Sequence, residues 1–317
     1  MLWPVRQIHL QPTRYTCSAF LLIAAAMGCD ESASPGGEGG SDVTSSTGMG
    51  ASGEGGESPT SSSTTTGSGG SSPGCSAAEG APGETIREVE IAGTTRRYIV
   101  DAPASIVSEK PLSLVFVFHG NGGNGEASQG MGLQDVAGAQ DEALFVFPDG
   151  LPFMNFGVGW NGACDGYDME FFDAMIDTLS SEYCVDASRI FAAGFSWGGD
   201  MCESLACCRG NIVRAVAPAS GPELYPADQV CAGSARPSLR MTYADNDAYP
   251  PAMFAERLAW YRAEQGCSDS SMAVDPAPCV AWAGCTRPVV ACEYAGLGHA
   301  WPGDWADETW KFFTESP

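Results

Sequence analysis

The sequence predicts an α/β domain built on a mostly parallel, doubly wound β-sheet. Short apolar runs rich in β-branched residues alternate with longer stretches of helical periodicity, as they do in βαβ units. One of these runs passes through a glycine-flanked serine directly into a helical stretch, "RIFAAGFSWGGDMCESLACC". The chain has 317 residues, of which 44% are hydrophobic, so it can bury a large core.

The N-terminal residues predict export. The first fourteen residues contain two arginines and no acid, and an almost unbroken apolar run, Cys17 to Met27, follows. This run is too short for a stable membrane span, so we interpret residues 1–29 as a signal peptide. Its end, "AMGC", is similar to a bacterial lipobox, in which Cys29 becomes a lipidated N-terminus. Simple secretion and a retained anchor are the alternatives, and each places the protein outside the cytoplasm.

Residues 30–75 are predicted to be a disordered tether. They are nearly all Gly, Ser, Thr, Glu and Pro, which leaves almost no apolar side chain to offset the entropy of ordering. One match to Gly-x-Ser-x-Gly, around Ser72, falls inside this segment and is discarded, because no strand or helix can hold a strained turn there. Residues 76–317 remain for a single folded domain.

Charge and cysteine content limit the possible partners. The formal net charge is -24, and the sequence has no cluster of basic residues that could neutralise phosphates. This excludes nucleic acid as a partner. Thirteen cysteines behind an export signal indicate disulfides; setting aside Cys17 and Cys29 leaves eleven, so at least one thiol is free or intermolecular. A zinc site is the competing interpretation, but the folded part has no Cys-x-x-Cys pair and only two histidines, so we expect no metal.

The folded part begins with two strands that alternate apolar and polar residues around Ala92-Gly93, as an antiparallel edge pair does. The apolar runs "LSLVFVF" and "ALFVFPDG" predict strands buried on both faces, with a helix over 128–141 between them. A helix over 169–182 precedes the strand, turn and helix that surround the serine. The remaining elements are strands in "IVRAVAPASG", "SLRMTYADND" and "RPVVACEYAG" and helices in "PPAMFAERLAWYRAEQ" and "DWADETWKFF".

Ser196, in "GFSWG", is the candidate nucleophile. In a strand–turn–helix setting the two glycines remove side chains that would collide with neighbouring backbone at a strained turn, which favours a nucleophile over a surface serine. The hydroxyl needs a base, and His9 lies in the predicted signal peptide. His299 follows the last strand and is the predicted base. His119 ends a buried strand and is predicted to fix the Gly-rich loop after it.

The carboxylate that orients the base should lie between serine and histidine in chain order, at the end of a strand. Asp245 and Asp247, in "YADND", both satisfy this condition. The order serine, aspartate, histidine is that of an α/β-hydrolase. In that architecture the backbone amides of Trp197 and Asn121 are predicted to form the oxyanion hole.

Five motifs carry a family resemblance: "FHGNGG", "FPDG" followed by "GW", "VDASRIFAAGFSWGG", "YADND" and "GLGHAWPG". From about Ile86 to the C-terminus, the chain resembles the esterases grouped with polyhydroxybutyrate depolymerases and feruloyl esterases of carbohydrate esterase family one. The resemblance implies an α/β-hydrolase fold, a single catalytic domain over 76–317 and no organic or metal cofactor. It also implies Asp245 as the acid, because the acid of this family is the aspartate of a Gly-x-x-Asp motif. Thr242 replaces that glycine, so Asp247 remains an alternative for the acid.

Two disulfides are expected in this domain. Cys184 lies just before the strand that leads to Ser196, and the next helix runs back and ends at Cys207 and Cys208, so we expect Cys184 to pair with one of these two. The resemblance implies a second pair, Cys267 with Cys285.

The resemblance implies a secreted serine esterase that acts on feruloyl or acetyl esters of plant polysaccharide, and we expect it to be a monomer. The alternatives are a polyhydroxyalkanoate depolymerase and a non-catalytic surface-binding lipoprotein that keeps only the fold. Four tryptophans would suit either an aromatic platform for a phenolic acyl group or core packing: Trp160, Trp197, Trp301 and Trp305.

Overall fold

The computed structural model describes Cys75 and residues 80–107, 110–226, 230–233 and 235–317. The predicted signal peptide, Cys29 and, apart from Cys75, the predicted tether lie outside these residues, so they stay predictions. In the part of the chain that the structure describes, no helix combines the length and apolar character needed to cross a membrane.

The sheet is large and mostly parallel, as predicted. The described strands are β1 (Gly83–Ile91), β2 (Thr94–Ala102), β3 (Leu112–Phe118), β4 (Ala143–Pro148), β5 (Leu151–Pro152), β6 (Val158–Gly159), β7 (Val185–Phe195), β8 (Ala215–Ala219), β9 (Ser238–Ala244), β10 (Ser271–Ala273), β11 (Cys279–Trp282) and β12 (Val289–Tyr294). Ten of them form one sheet in the order β1-β2-β4-β3-β7-β8-β9-β12-β11-β10, and β5 pairs with β6 as a separate hairpin. The six consecutive strands β4-β3-β7-β8-β9-β12 run parallel to one another, and antiparallel strands extend the sheet at both edges.

Helices cover both faces of the sheet. They are α1 (Gly125–Gln129), α2 (Tyr167–Glu182), α3 (Trp197–Cys208), α4 (Pro251–Glu264) and α5 (Trp305–Glu315). Successive residues of β3 face opposite sides: Phe116 joins the core under α2, α3 and α4, whereas Val115 joins the core under α5. This doubly wound arrangement confirms the predicted α/β-hydrolase class.

The predicted helix over 128–141 is wrong. After α1, the chain forms two single 3₁₀ turns, Leu133–Asp135 and Ala139–Asp141. Gly132 and Gly138 precede these turns with φ values of 77° and 83°, a left-handed conformation that a continuous helix does not contain. Met131 and Leu133 are nevertheless buried, so the apolar spacing reflects core contacts.

Five disulfides are present among the described residues, and one of the two expected pairings is wrong. The pairs are Cys75–Cys184, Cys164–Cys208, Cys207–Cys231, Cys267–Cys285 and Cys279–Cys292. Cys267 pairs with Cys285, as the resemblance implied, but Cys184 pairs with neither Cys207 nor Cys208. The direction of the chain determines at which end of the sheet a strand or helix finishes, but it does not determine the position of that element across the width of the sheet. Cys184 faces the N-terminal segment, where Gly80 donates its amide to Glu182 O at 3.1 Å.

The remaining described cysteine, Cys202, is a buried free thiol. Disulfides in this number are typical of proteins that fold in an oxidising, extracytoplasmic compartment.

The sheet order places a crevice beside the serine. After β3 the chain continues to β4 on one side, and after β7 it continues to β8 on the other side. The connections that follow β3 and β7 therefore run in opposite directions across the sheet. Ligands of open α/β sheets bind outside the carboxyl ends of strands at such a switch point. The loops after β3 and β7 carry His119 and Ser196, respectively.

Candidate active site

Ser196 occupies a strained turn between β7 and α3. Its φ and ψ are 55° and -122°, a conformation that non-glycine residues rarely adopt. A Cβ on Gly194 would lie 2.4 Å from the carbonyl oxygen of Gly198, and a Cβ on Gly198 would lie 2.1 Å from that of Phe118. Both glycines are therefore required for the turn to pack against β3. The turn has the geometry of the nucleophile elbow that the sequence predicted.

Ser196, His299 and Asp247 form a continuous hydrogen-bonded series. Ser196 Oγ lies 2.8 Å from His299 Nε2, and His299 Nδ1 lies 2.8 Å from Asp247 Oδ1. The side chain of Asp247 is fully buried, whereas that of His299 is 29% exposed. A hydroxyl, an imidazole and a buried carboxylate in this arrangement are the geometry of a serine hydrolase triad.

The structure contradicts Asp245 as the partner of His299. Asp245 Oδ1 accepts a hydrogen bond from the Gly296 amide at 2.8 Å, and Asn246 Oδ1 accepts one from the Gly298 amide at 2.8 Å. The two side chains directly after β9 thus bind the loop that carries His299, here called the histidine loop. Asp245 immediately follows β9 and reaches only the start of that loop, and His299 requires an acid two residues further along.

Two further groups hold Asp247, and sequence reasoning missed both. Ser220 Oγ donates to Asp247 Oδ2 at 2.6 Å, and the Tyr249 amide donates to Oδ1 at 3.1 Å. Ser220 follows β8 with a φ of 51°, as Ser196 follows β7 with positive φ. A serine–glycine pair directly after a buried strand was the available signal. With these bonds the carboxylate has a fixed orientation toward the imidazole.

Tyr249 is itself held by a buried acid. Its hydroxyl donates to Asp200 Oδ2 at 2.7 Å, and Asp200 Oδ1 accepts from the Glu223 amide at 2.8 Å. Burial raises the pKa of the Asp200 carboxyl well above its ordinary value and also raises the pKa of the Tyr249 hydroxyl. Asp200 therefore links the first turn of α3 to the residue that holds Asp247.

The loop after β3 approaches the serine closely. A Cβ on Gly120 would lie 3.2 Å from Ser196 Cβ, so the approach depends on glycine. The side chain of Asn121 donates to Phe156 O at 2.9 Å, and the Gly122 amide donates to Val158 O at 2.8 Å, which ties this loop to the β5–β6 hairpin. Trp197 is the first residue of α3, and the backbone amides of a helix's first turn have no acceptor within the helix.

His119 begins this loop, and both of its ring nitrogens bond to backbone groups. Its Nε2 accepts the Gly150 amide proton at 2.8 Å, so the ring proton is on Nδ1 and is donated to Gly120 O at 2.7 Å. Burial lowers the pKa of His119, which favours this neutral form. The contacts agree with the predicted role of His119 in fixing the loop.

Two cavities meet at Ser196. The first has a volume of about 300 Å³ and aromatic walls that include Phe153, Phe156, Trp197 and Tyr225. The second, of about 390 Å³, contains His299 and Trp301 among its lining residues. Of the four tryptophans considered above, Trp197 and Trp301 therefore line opposite cavities. Trp305 is core, and Trp160 is a buried wall residue whose Nε1 donates to His119 O at 2.9 Å.

Potential metal ligands come together at one place in the described residues. The sulfurs of Cys164, Cys207 and Cys208 lie within 4.8 Å of one another. All three belong to disulfides, so they are not available as thiolate ligands.

Comparison with known proteins identifies the family. No family profile matches the chain. The chain is 32% identical over 242 residues to a probable feruloyl esterase C of Aspergillus niger, covering 69% of this chain and 83% of the relative. The chain belongs to the feruloyl esterase-like family of α/β-hydrolases. Feruloyl esterase D of Neurospora crassa is 36% identical over 166 residues, covering 49% of this chain and 53% of the relative.

Solved structures agree on the fold of this esterase. The acetyl xylan esterase of Aspergillus awamori superposes with a TM-score of 0.59 at 15% identity, over 73% of this chain and 99% of that one. The relatives establish a carboxylic ester hydrolase of the serine hydrolase type.

Proposed function

We propose that this esterase hydrolyses feruloyl esters of plant polysaccharide, with Ser196 as nucleophile, His299 as general base and Asp247 as the acid that orients it. The observation that carries the proposal is the aromatic cavity beside Ser196. The names of the relatives, feruloyl esterases C and D, support the same substrate class.

The proposed reaction is a two-step acyl transfer. His299 Nε2 takes the proton of Ser196 as Oγ attacks the ester carbonyl, and the amides of Trp197 and Asn121 stabilise the oxyanion. The imidazolium then protonates the departing alcohol oxygen, which leaves an acyl-serine. Water, deprotonated by the same imidazole, attacks the acyl-serine; the imidazolium then returns the proton to Ser196 Oγ as the carboxylic acid is released. Asp247 keeps the imidazole in the tautomer that accepts at Nε2.

The position of the base decides which cavity receives which half of the ester. His299 must reach the alcohol oxygen to protonate it, so the alcohol leaves on the side of His299. His299 lines the second cavity and is not among the residues that line the first. The acyl group therefore occupies the first, aromatic cavity.

That cavity suits an aromatic acyl group better than acetate. Phe153 lies edge-on to Trp197 and to Tyr225, with ring centroids 6.1 Å and 5.5 Å apart, and Phe156 lies edge-on to Trp197 at 6.5 Å. A planar ring can pack within such walls, whereas an acetyl group would leave most of the volume unfilled.

The test is hydrolysis by the full chain of methyl ferulate, methyl acetate and a hydroxybutyrate oligomer. We expect the highest kcat/KM on methyl ferulate, and a loss of very roughly 10³ to 10⁶ in kcat for Ser196→Ala and His299→Ala with an unchanged circular dichroism spectrum. Preference for the acetate would indicate an acetyl esterase, and preference for the oligomer a depolymerase; either result would refute the proposal.

We also propose that the enzyme is an exported monomer held at the cell surface by a lipid on Cys29. The support is the lipobox-like sequence and the apolar run before it. Mass spectrometry of the mature N-terminus checks the lipid. An unmodified N-terminus at another residue would refute the lipid anchor and indicate simple secretion.

A further inference from the structure

The second cavity lies on the side of Ser196 from which the alcohol departs. Ser196, His299 and Asn121 line it together with Ala127, Met131 and Trp301. Its volume of about 390 Å³ falls within the range of small-molecule sites, so it can hold far more than the methyl group of a simple ester.

Trp301 has a fixed place in this cavity. It follows His299 by two residues on the same loop, and its ring lies edge-on to Phe195 with centroids 4.7 Å apart. Phe195 also contacts the His299 ring at 4.8 Å. Ser220 Oγ, which holds Asp247, lies 3.2 Å from the carbonyl oxygen of Ala300 between these two residues. Trp301 is therefore positioned by the same contacts that position the base.

The lining selects against charged alcohols. Among the described residues around this cavity there is no Asp, Glu, Lys or Arg. Besides Ser196 and His299, the lining offers the rings of Trp301, Phe195 and His119, the apolar side chains of Met131 and Ala127, and the polar groups of the Gly120–Gly123 loop. A neutral molecule with both C–H-rich faces and hydroxyl groups matches this combination, because C–H groups pack on aromatic faces and hydroxyls bond to backbone and amide groups.

We propose that the second cavity is the binding site for the sugar that carries the ester, with Trp301 as the surface on which the sugar ring packs. The proposal rests on the proposed function and extends it from the acyl group to the alcohol. Trp301 then determines specificity for an ester attached to a saccharide over the same acyl group attached to a simple alcohol.

The experiment compares methyl ferulate with ferulate esterified to a neutral oligosaccharide, using the full chain. Both substrates place the same acyl group in the first cavity, so the ratio of their kcat/KM values reports on the second. We expect the wild type to favour the saccharide ester by roughly tenfold or more and Trp301→Ala to lose most of that preference, with Trp301→Phe intermediate.

Two further variants make the result decisive. Ala127 is exposed on α1, and Ala127→Phe should reduce the preference by filling the cavity even if Trp301→Ala folds poorly. Phe156→Ala, on the acyl side, should lower kcat/KM on both substrates and leave their ratio unchanged.

The proposal is overturned if the wild type shows no preference for the saccharide ester, or if Trp301→Ala and Ala127→Phe keep it. It is also overturned if the two variants impair a hydroxybutyrate oligomer and leave the saccharide ester unaffected. Failure of the wild type to hydrolyse methyl ferulate would instead refute the proposed function.

Discussion

At the scale of single residues, the orientation of Asp247 depends on groups that never contact the substrate carbonyl. Ser220 and Tyr249 donate to its two oxygens, and Tyr249 is held in turn by Asp200. A buried carboxylate without fixed donors would rotate away from the imidazole or take up a proton, and either change would weaken the base.

Replacing Tyr249 with phenylalanine tests this dependence. The variant keeps the ring in the acyl cavity and removes the bond to Asp200, so we expect kcat to fall roughly tenfold with KM little changed. Steady-state kinetics on methyl ferulate measures both constants. Tyr225→Phe is the matched control, because Tyr225 lines the same cavity without contacting Asp247 or Asp200. An equal loss in both variants, or a change confined to KM, would contradict a role in positioning.

The sequence predicted the residues of the site unevenly, for a physical reason. Ser196 and His299 each stand in a motif whose glycines and position after a strand are local properties. The choice between Asp245 and Asp247 depends on how far the histidine loop extends beyond β12, which is a property of two loops together. Ser220, Tyr249 and Asp200 come from three separate elements, so only the folded chain brings them together.

At the scale of elements, the buried strands were predictable and the shorter elements were not. β3 and β4 are continuous apolar runs, and such runs follow from burial on both faces. β10 is three exposed residues and β11 is four, which is too short for a recognisable period. Glycine placement at 132 and 138 overrode the helical spacing of the neighbouring apolar residues.

The Cys75–Cys184 disulfide ties the N-terminal segment to the start of β7 across 109 positions of sequence. We expect the double variant Cys75→Ser and Cys184→Ser to lose about 4 kcal/mol of unfolding free energy, a fall in Tm of roughly 10 °C. Its kcat should remain close to wild type, because Cys184 and Ser196 lie at opposite ends of β7. Thermal unfolding and methyl ferulate kinetics measure the two effects.

Peptide mapping without reduction provides the control for this prediction. It should recover Cys75 linked to Cys184, and Cys202 as the free thiol. Recovery of Cys184 linked to Cys207 or Cys208 would contradict the packing of α2 against the N-terminal segment.

At the scale of the whole molecule, stability should fall as the pH rises. The chain carries a net charge of -24 and therefore repels itself at neutral pH. Glu203 on α3 adds to this. Its side chain is fully buried, and burial raises the pKa of Glu203 to about 8, although Arg257 Nε, 3.5 Å from a carboxylate oxygen, acts in the opposite direction. A group whose pKa is raised by folding stabilises the fold below its unfolded pKa of 4.5, and that stability is lost progressively up to pH 8.

Glu203→Gln should remove the part of this dependence that Glu203 contributes. At pH 8 we expect the variant to have a Tm higher than wild type by roughly 5 °C, and near pH 4.5 the difference should disappear. Calorimetry across this range measures it, with Glu256→Gln, at an exposed position of α4, as the matched control. A Tm difference that stays constant with pH, or that appears equally in the control, would show that Glu203 is not the group responsible.

The central claim is that Ser196, His299 and Asp247 together hydrolyse an aromatic ester. It is tested most directly by kcat on methyl ferulate for the wild type, Asp247→Asn and Asp245→Asn. An amide in place of the orienting acid favours the wrong imidazole tautomer, so Asp247→Asn should lose about 10⁴ in kcat. Asp245→Asn keeps the oxygen that accepts the Gly296 amide and should stay within roughly tenfold of wild type. A large loss in Asp245→Asn with Asp247→Asn active, or a wild type that leaves methyl ferulate intact, would contradict the account.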